Sequence, residues 1–283
     1  EFSLNQNVVF EAAFNKNVNW LIEIRGNESG ALKRIEGFSR SLDASNAVWK
    51  GGTTELPFFR NESCQIVLTV PNESDYSDSA SIVIASTKNY QGSLLFDFEG
   101  DQGSSIELGN FEFDFDLDST GVQDFIPAAQ GEFFYSLLGT DNTLNNFFVG
   151  LVLLKPSIVD ETYVPLPTTV PENVYFNCFM YSDGRPYGIA VVEFVFDSND
   201  TGAFEDGQDA IFKLEEDYAL DWTGWRLISH PMSETGMSQE QLEKFVGIRL
   251  ILISDANSQP TPPQSVFFGV DYITFTQNGP LEL

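Results

Sequence analysis

Short stretches of alternating apolar and polar residues recur along the first 90 residues, separated by turn-forming residues. Residues 18–24 alternate well enough for a half-buried strand, which Gly26 and Asn27 close. The same pattern predicts further strands at residues 31–35, 47–50, 65–70 and 81–85. This spacing favours a small β-sandwich, and Trp20 and Trp49 are its natural core aromatics.

From residue 92 onwards the predicted strands become longer and richer in Phe. A jelly-roll sandwich contains many strands of this kind, connected by turns. One short stretch, residues 238–245, is predicted as helix, with Ser238 as its N-cap and Glu240 in the first turn. The predicted strands cover residues 94–99, 111–117, 132–138, 147–154, 174–181, 189–196, 210–214, 225–229, 246–254 and 266–276.

These patterns predict an all-β protein of two domains. We expect an N-terminal immunoglobulin-like β-sandwich over residues 1–90. A larger antiparallel jelly-roll β-sandwich should follow over residues 91–283. Because no long linker separates the two segments, we expect the domains to touch.

Composition narrows the choice of partners. The chain has 42 Asp and Glu against 14 Lys and Arg, a net charge of −28, which disfavours nucleic acid and anionic membrane surfaces. No apolar run is long enough to span a bilayer. The chain begins at Glu1 without Met or a signal-like segment, so we expect a mature or trimmed form of an exported protein, without its export segment. Cys64 and Cys178 lie among strand-forming residues, and we expect both to be buried free thiols.

Signals of nucleophilic catalysis are weak. The single histidine, His230, cannot provide the two or three imidazoles of a usual zinc site. No Gly-x-Ser-x-Gly turn accompanies it, and no Gly-x-Gly-x-x-Gly loop is present.

One predicted strand is unusually acidic. Glu112, Asp114, Asp116 and Asp118 alternate with apolar residues and therefore share one face. Three interpretations stay open: a solvated sheet face, a calcium-binding ribbon, and the paired carboxylates of a glycoside hydrolase. The spacing resembles the Glu-x-Asp-x-x-Glu strand of jelly-roll endoglucanases, but Leu117 occupies the position of the second Glu.

Four short segments resemble the galactose-binding-like jelly-roll carbohydrate-binding modules over about residues 92–283. They are Asp97-Phe-Glu99, residues 131–139, the segment Asp221-Trp222-Thr-Gly-Trp225, and the closing Val-Asp271-Tyr-Ile. In that family a structural calcium is commonly held between the first strand and an acid of the last strand. The resemblance therefore implies calcium bound by Glu99 and Asp271, with Asp97 as an alternate ligand.

The combination with an immunoglobulin-like domain resembles exported, often lipid-anchored polysaccharide-binding proteins of Bacteroidetes-type bacteria. That resemblance implies a secreted or outer-membrane-surface location, a polysaccharide or oligosaccharide ligand, and outer-membrane partner proteins.

Aromatic side chains beside polar turn residues are the candidate sugar contacts, because the apolar face of a pyranose stacks on a ring. Trp222, flanked by Asp221 and Thr223, is expected to be exposed, whereas Trp225 begins an apolar strand and is expected in the core. The predicted ligand residues are Trp222, Tyr181, Tyr187, Asp183 and Arg185.

The sequence thus favours a non-catalytic glycan-binding protein. A structural or adhesive module that binds protein is the first alternative. A jelly-roll glycoside hydrolase or lyase is the second.

Overall fold

The computed structural model describes residues 2–3, 6–73, 76–86, 88, 90–99, 106–108, 115–118, 126–139, 148–154, 163–214, 217–255 and 257–283. The chain divides into two compact units. The N-terminal unit comprises Glu1–Tyr90 with Ala129–Gly131 and Glu282–Leu283. The C-terminal unit comprises Gln91–Ala128 and Glu132–Leu281.

The described strands of the N-terminal unit are β1 (Phe2–Ser3), β2 (Val8–Val9), β3 (Ala12–Gly26), β4 (Leu32–Leu42), β5 (Val48–Trp49), β6 (Ser63–Thr69) and β7 (Ser77–Ser86). They form a five-stranded sheet of order β1-β7-β6-β3-β4 and a two-stranded β2-β5 ribbon. Its pairs are antiparallel except β1 with β7, which is parallel. Alternation along β3 buries Trp20, Ile22 and Ile24 against Trp49, as the sequence pattern predicts. The immunoglobulin-like assignment stays a prediction.

The C-terminal unit is a sandwich of two antiparallel sheets, each of six described strands. These strands are β8 (Ser93–Phe96), β9 (Ile106–Leu108), β10 (Phe115–Asp118), β11 (Tyr135–Gly139), β12 (Phe148–Leu154), β13 (Val174–Asp183), β14 (Gly188–Phe196), β15 (Ala210–Lys213), β16 (Tyr218–Ala219), β17 (Thr223–Pro231), β18 (Phe245–Ser254) and β19 (Val266–Gln277). The front sheet has the order β10-β11-β19-β13-β17, with β8 also paired to β19. The back sheet has the order β15-β14-β18-β12-β9, with β16 also paired to β14.

Phenylalanine rings fill the space between the two sheets. Phe176 of β13 meets Phe194 of β14 edge-on at 5.2 Å between ring centroids, and it lies 5.9 Å from Phe275 of β19. All three rings are fully buried, and they belong to one continuous core. This two-layer arrangement confirms the predicted all-β jelly-roll sandwich.

The predicted short helix is also present. Helix α1 spans Gln239–Leu242, and Ser238 caps it by accepting a hydrogen bond from the Gln241 amide. The Gln241 side-chain oxygen in turn accepts a hydrogen bond from the Ser238 amide, which completes a capping box. In the part of the chain that the structure describes, no helix is both long and apolar enough to cross a membrane. Cys64 and Cys178 are buried free thiols, as expected.

Candidate functional site

The two faces of the front sheet have different surroundings. Side chains alternate along β13, so Cys178 and Met180 face the core between the sheets, whereas Phe179 and Tyr181 face the opposite side. We call that opposite side the outer face. Tyr181 lies beside Trp225 of β17 and opposite Gly269 of β19, and these three positions form one row across the sheet.

Four rings gather on this outer face, and we call them the outer aromatic cluster: Phe134, Tyr181, Trp225 and Phe267. Trp225 meets Phe134 at 5.2 Å and Tyr181 at 5.4 Å, and Tyr181 meets Phe267 at 5.9 Å, all edge to face. Such pairs stabilise one another by about 0.5–1.5 kcal/mol beyond their area burial. Phe134 and Phe267 are buried, whereas Tyr181 and Trp225 are half-buried. In this cluster, two buried rings therefore pack against two rings that stay partly accessible.

Gly269 permits this arrangement. A Cβ atom there would lie 3.0 Å from the Tyr181 Cβ and 3.2 Å from a ring carbon of Phe134. Any side chain at this position would push the two rings apart. Glycine at this position thus lets Tyr181 and Phe134 pack closely over the strand.

A loop segment borders the cluster on the Trp225 side. The Trp225 indole Nε1 donates a hydrogen bond to the Pro127 carbonyl over 2.7 Å. Ile126 and Ala128 are buried against the same rings. The indole is thereby fixed in orientation, and Trp225 as a whole stays partly exposed.

The predicted exposure of Trp222 is wrong. Its side chain is 8% exposed and belongs to the main core. Its Nε1 donates to the Gly224 carbonyl over 3.0 Å, and the Arg226 guanidinium lies 4.7 Å from its ring. The predicted core position of Trp225 is also wrong, because this ring stands on the outer face. Trp222 faces the core and Trp225 lies on the outer face, which is the reverse of the predicted assignment.

The turn after β13 holds an ion pair at the end of the sheet. The Arg185 Nε donates to Asp183 Oδ2 over 2.8 Å, and its Nη1 donates to Ser265 Oγ over 3.1 Å. The hydrogen bond from Arg185 to Asp183 raises the pKa of the guanidinium. Gly184 adopts a φ of +84°, and a Cβ there would lie 2.5 Å from Thr223 Oγ1, so the turn requires glycine.

Tyr181 and the ion pair are within electrostatic reach of each other. Burial raises the pKa of the Tyr181 phenol, and the charge of Asp183 raises it further. Among the described residues, the Tyr181 hydroxyl has no hydrogen-bond partner. The structure therefore brings together Tyr181, Asp183 and Arg185 of the predicted ligand residues. Tyr187 instead packs its half-buried ring against the main core.

The predicted calcium ligands lie where the first and last strands of the unit pair. Strand β8 pairs with β19, with Phe96 opposite Ile273. Glu99 Oε1 accepts hydrogen bonds from the amides of Glu132 and Phe133 over 2.7 and 2.9 Å. Asp271 is fully buried, and Asp97 Oδ1 accepts a bond from the Glu99 amide over 3.2 Å.

These carboxylates do not form a complete ligand set by themselves. Within the described ranges, no group of three or more His, Cys, Asp or Glu side chains is placed to hold a metal ion. Burial raises the pKa of the Tyr272 phenol, and the charges of Asp97 and Asp271 add to that rise. Asp97 and Asp271 therefore act on the same phenol. Calcium here would also need backbone carbonyl ligands.

The acidic segment is only partly within the described residues. Glu112 and Asp114 lie outside them. Asp116 and Asp118 lie on the edge strand β10, opposite Leu138 and Ser136 of β11. The three interpretations of this segment stay open.

Sequence reasoning missed Phe134, Phe267 and Gly269. Phe267 and Gly269 occupy alternate positions of β19, on the face opposite Phe268 and Val270. A strand that is buried along both faces shows no polar alternation that would distinguish one face from the other. The available signal was the glycine itself, since glycine within a strand marks close approach of other groups.

No protein-family model and no curated protein matches the sequence. Among solved structures, the chain is similar to one described under carbohydrate-binding modules of the β-sandwich superfamily, at 15% identity over 97% of this chain and 93% of that one, with a TM-score of 0.41. The chain is also similar to the xylan-binding CBM22-1 domain of Paenibacillus barcinonensis Xyn10C, at 12% identity over 68% of this chain and 98% of that one, with a TM-score of 0.38. A third similar structure is SGBP-B from a complex xyloglucan utilization locus in Bacteroides uniformis, at 11% identity over 96% of this chain and 72% of that one, with a TM-score of 0.45. At these identities and TM-scores, neither a ligand nor a site residue of this chain follows from the similarity.

Proposed function

We propose that the protein is a non-catalytic glycan-binding protein that contacts sugar through the outer aromatic cluster. The observation that carries this proposal is the half-buried pair of Tyr181 and Trp225 on the outer face. A pyranose has an apolar face that stacks on a ring and a rim of hydroxyls that require donors and acceptors. The cluster offers the first, and the neighbouring Asp183 and Arg185 offer the second.

The ion pair suits hydroxyl recognition. Asp183 and Arg185 hold each other in place, and their side chains are 29% and 37% exposed. A ligand hydroxyl can therefore meet groups that are already ordered, which lowers the entropy lost on binding. Because the pair is electrically balanced, it gives no preference for a charged ligand.

The charge of the chain favours a neutral glycan. Residues 91–283 carry 6 Lys and Arg against 31 Asp and Glu. An anionic polysaccharide would be repelled during its approach to such a unit. Neutral polysaccharides meet no such barrier.

The experiment is a binding screen of the full chain against soluble neutral polysaccharides, namely xyloglucan, xylan and mixed-linkage β-glucan, with anionic polygalacturonate as the control. Native gel electrophoresis with each polysaccharide in the gel should show retardation by at least one neutral polymer and none by polygalacturonate. Reducing-end assays on the same mixtures should show no turnover. Release of reducing ends that scales with protein would contradict the non-catalytic assignment.

We also propose that one calcium ion stabilises the closure of the C-terminal unit, through Glu99 and Asp271 with Asp97 as alternate. The support is the β8–β19 pairing and the joint action of Asp97 and Asp271 on Tyr272. Two carboxylates held together repel each other, and a hard cation relieves that repulsion. A calorimetric titration should show one site per chain, and chelator should lower the melting temperature. Absence of both effects would reject calcium without affecting the glycan proposal.

A secreted or outer-membrane-surface location, with outer-membrane partner proteins, belongs to the same proposal. The acidic charge is compatible with a solvated extracellular surface. Protease accessibility on intact cells tests the location, and crosslinking on those cells tests the partners.

A further inference from the structure

The N-terminal unit contains a groove beside an irregularity in its longest strand. The pairing of β3 with β4 shifts register between Ala13 and Val18. A groove of about 390 Å³ opens there, and we call it the β3 groove. Its walls include Phe14, Asn15, Lys16, Val70, Glu73 and Tyr76.

Tyr76 is the most exposed ring of this groove. The residue is 61% exposed. The backbone on both sides of the ring is nevertheless fixed: the Tyr76 amide donates to the Glu73 carbonyl over 3.0 Å, and the Tyr76 carbonyl accepts from the Val70 amide over 3.2 Å. A second hollow of about 140 Å³ shares Phe14, Val70 and Tyr76 with the groove. The ring is thus presented between two adjoining hollows.

The rim of the groove is polar and electrically balanced. Lys16 forms an ion pair with Glu73 across it. The hydrogen bond to Glu73 raises the pKa of Lys16, and Tyr76 contributes to the same rise, so all three groups are in electrostatic reach. Asn15, which is exposed, adds an amide to this rim. Donors and acceptors therefore surround an exposed ring without a net charge from the pair.

We propose that the β3 groove is a second binding site for a short neutral oligosaccharide. This inference rests on the proposed function of the chain. The volume lies at the low end of small-ligand sites, about 300–1,000 Å³, and an exposed ring beside ordered polar groups matches the two faces of a sugar. A protein partner would need about 800 Å² of surface on each side, and therefore contacts well beyond the residues that line this groove.

The test is isothermal titration of the full chain with short oligosaccharides of xyloglucan, xylan and mixed-linkage β-glucan. We expect two sites per chain in the wild-type protein for at least one of them. Tyr76→Ala should remove the site in the groove and leave the other site at its wild-type affinity. Trp225→Ala should leave the groove site unchanged and weaken the other site about tenfold. Tyr76→Phe should keep both sites, because the ring is retained.

Phe38→Ala is the matched control, since Phe38 is 65% exposed on the same unit and does not line the groove. This variant should keep two sites. The circular dichroism spectrum of each variant should match that of the wild-type protein. This control shows that a binding site was lost without unfolding of the protein.

Three outcomes would overturn the inference. Unchanged stoichiometry and affinity in Tyr76→Ala would show that the groove takes no sugar, and would leave the proposed function intact. A single wild-type site that Trp225→Ala weakens and Tyr76→Ala leaves unchanged would have the same meaning. Absence of binding by every oligosaccharide would reject both proposals. In contrast, a single site that Tyr76→Ala alone abolishes would support the groove and reject the outer aromatic cluster.

Discussion

Trp222 and Trp225 are three residues apart, yet they lie on opposite faces of the front sheet. Trp222 is buried in the main core, where the Arg226 guanidinium covers its ring. Trp225 is half-buried on the outer face, and its indole donates to the carbonyl of a neighbouring loop residue, Pro127. Trp222 is thus a core residue, whereas Trp225 packs against other rings and stays partly exposed.

This difference separates two uses of aromatic residues in one unit. Inner rings such as Phe176 and Phe275 contribute free energy of folding because they are removed from water completely. On the outer face, Tyr181 and Trp225 leave part of their surface available, which stabilises the fold less and permits contact with a ligand. Substitutions on the two faces should therefore affect different measurements.

The largest effect is expected on the inner face. Trp222→Ala should lower the free energy of unfolding of the C-terminal unit by about 3 kcal/mol, because it leaves a cavity in the core. Glycan affinity of the folded protein should not change. Denaturant unfolding and titration of the same sample test both statements. Weakened binding with unchanged stability would reverse the roles assigned to the two tryptophans.

The next effect concerns the outer face. Trp225→Ala should weaken glycan binding about tenfold, equivalent to about 1.4 kcal/mol, through loss of one stacked ring. Its free energy of unfolding should fall by less than that of Trp222→Ala. Titration calorimetry gives the affinity, and Trp222→Ala serves as the control. Equal affinities for Trp225→Ala and the wild-type protein would place the sugar site elsewhere.

A smaller effect is expected for the hydroxyl of the outer tyrosine. Tyr181→Phe should weaken glycan binding about threefold, consistent with loss of one hydrogen bond worth roughly 0.5–1.5 kcal/mol. The ring contacts with Trp225 and Phe267 remain, so stability should stay the same. A melting curve and an affinity measurement suffice. Loss of stability without loss of affinity would make the hydroxyl structural.

The smallest effect is expected for the matched change on the inner face. The Tyr135 hydroxyl is buried and has no hydrogen-bond partner among the described residues, and burial raises the pKa of the phenol well above its usual range. Tyr135→Phe removes this unsatisfied group, so stability should stay equal or rise by less than about 1 kcal/mol. Glycan affinity should not change. A clear loss of stability would mean that the hydroxyl has a bound partner in solution.

The sequence pattern predicted most of the strands but not the faces of two key rings. The predicted strand at 246–254 differs by one residue from β18, Phe245–Ser254, because a long apolar run between turns has few alternative boundaries. Trp225 was assigned to the core because it begins an alternating apolar strand. That rule fails here because the front sheet carries aromatic residues on both faces, and Arg226 lies over Trp222 at the edge of the core.

The polar part of the site was easier to predict. Asp183 and Arg185 flank Gly184, whose left-handed conformation forms a tight turn that brings the two side chains together. Phe134 could not be assigned to the cluster from the sequence, since it comes from a different strand region and meets Trp225 only through the tertiary fold.

The most direct test of glycan binding at the outer aromatic cluster is an indole N–H spectrum of the full chain, recorded by ¹H–¹⁵N NMR during titration with a glycan that binds. The chain has four tryptophans, and the indoles of Trp20 and Trp49 donate within the N-terminal unit. The signal assigned to Trp225 by Trp225→Phe should shift on saturation, while that of Trp222 should stay in place. Saturation that moves the Trp222 signal, or leaves the Trp225 signal unchanged, would contradict the assignment of the site.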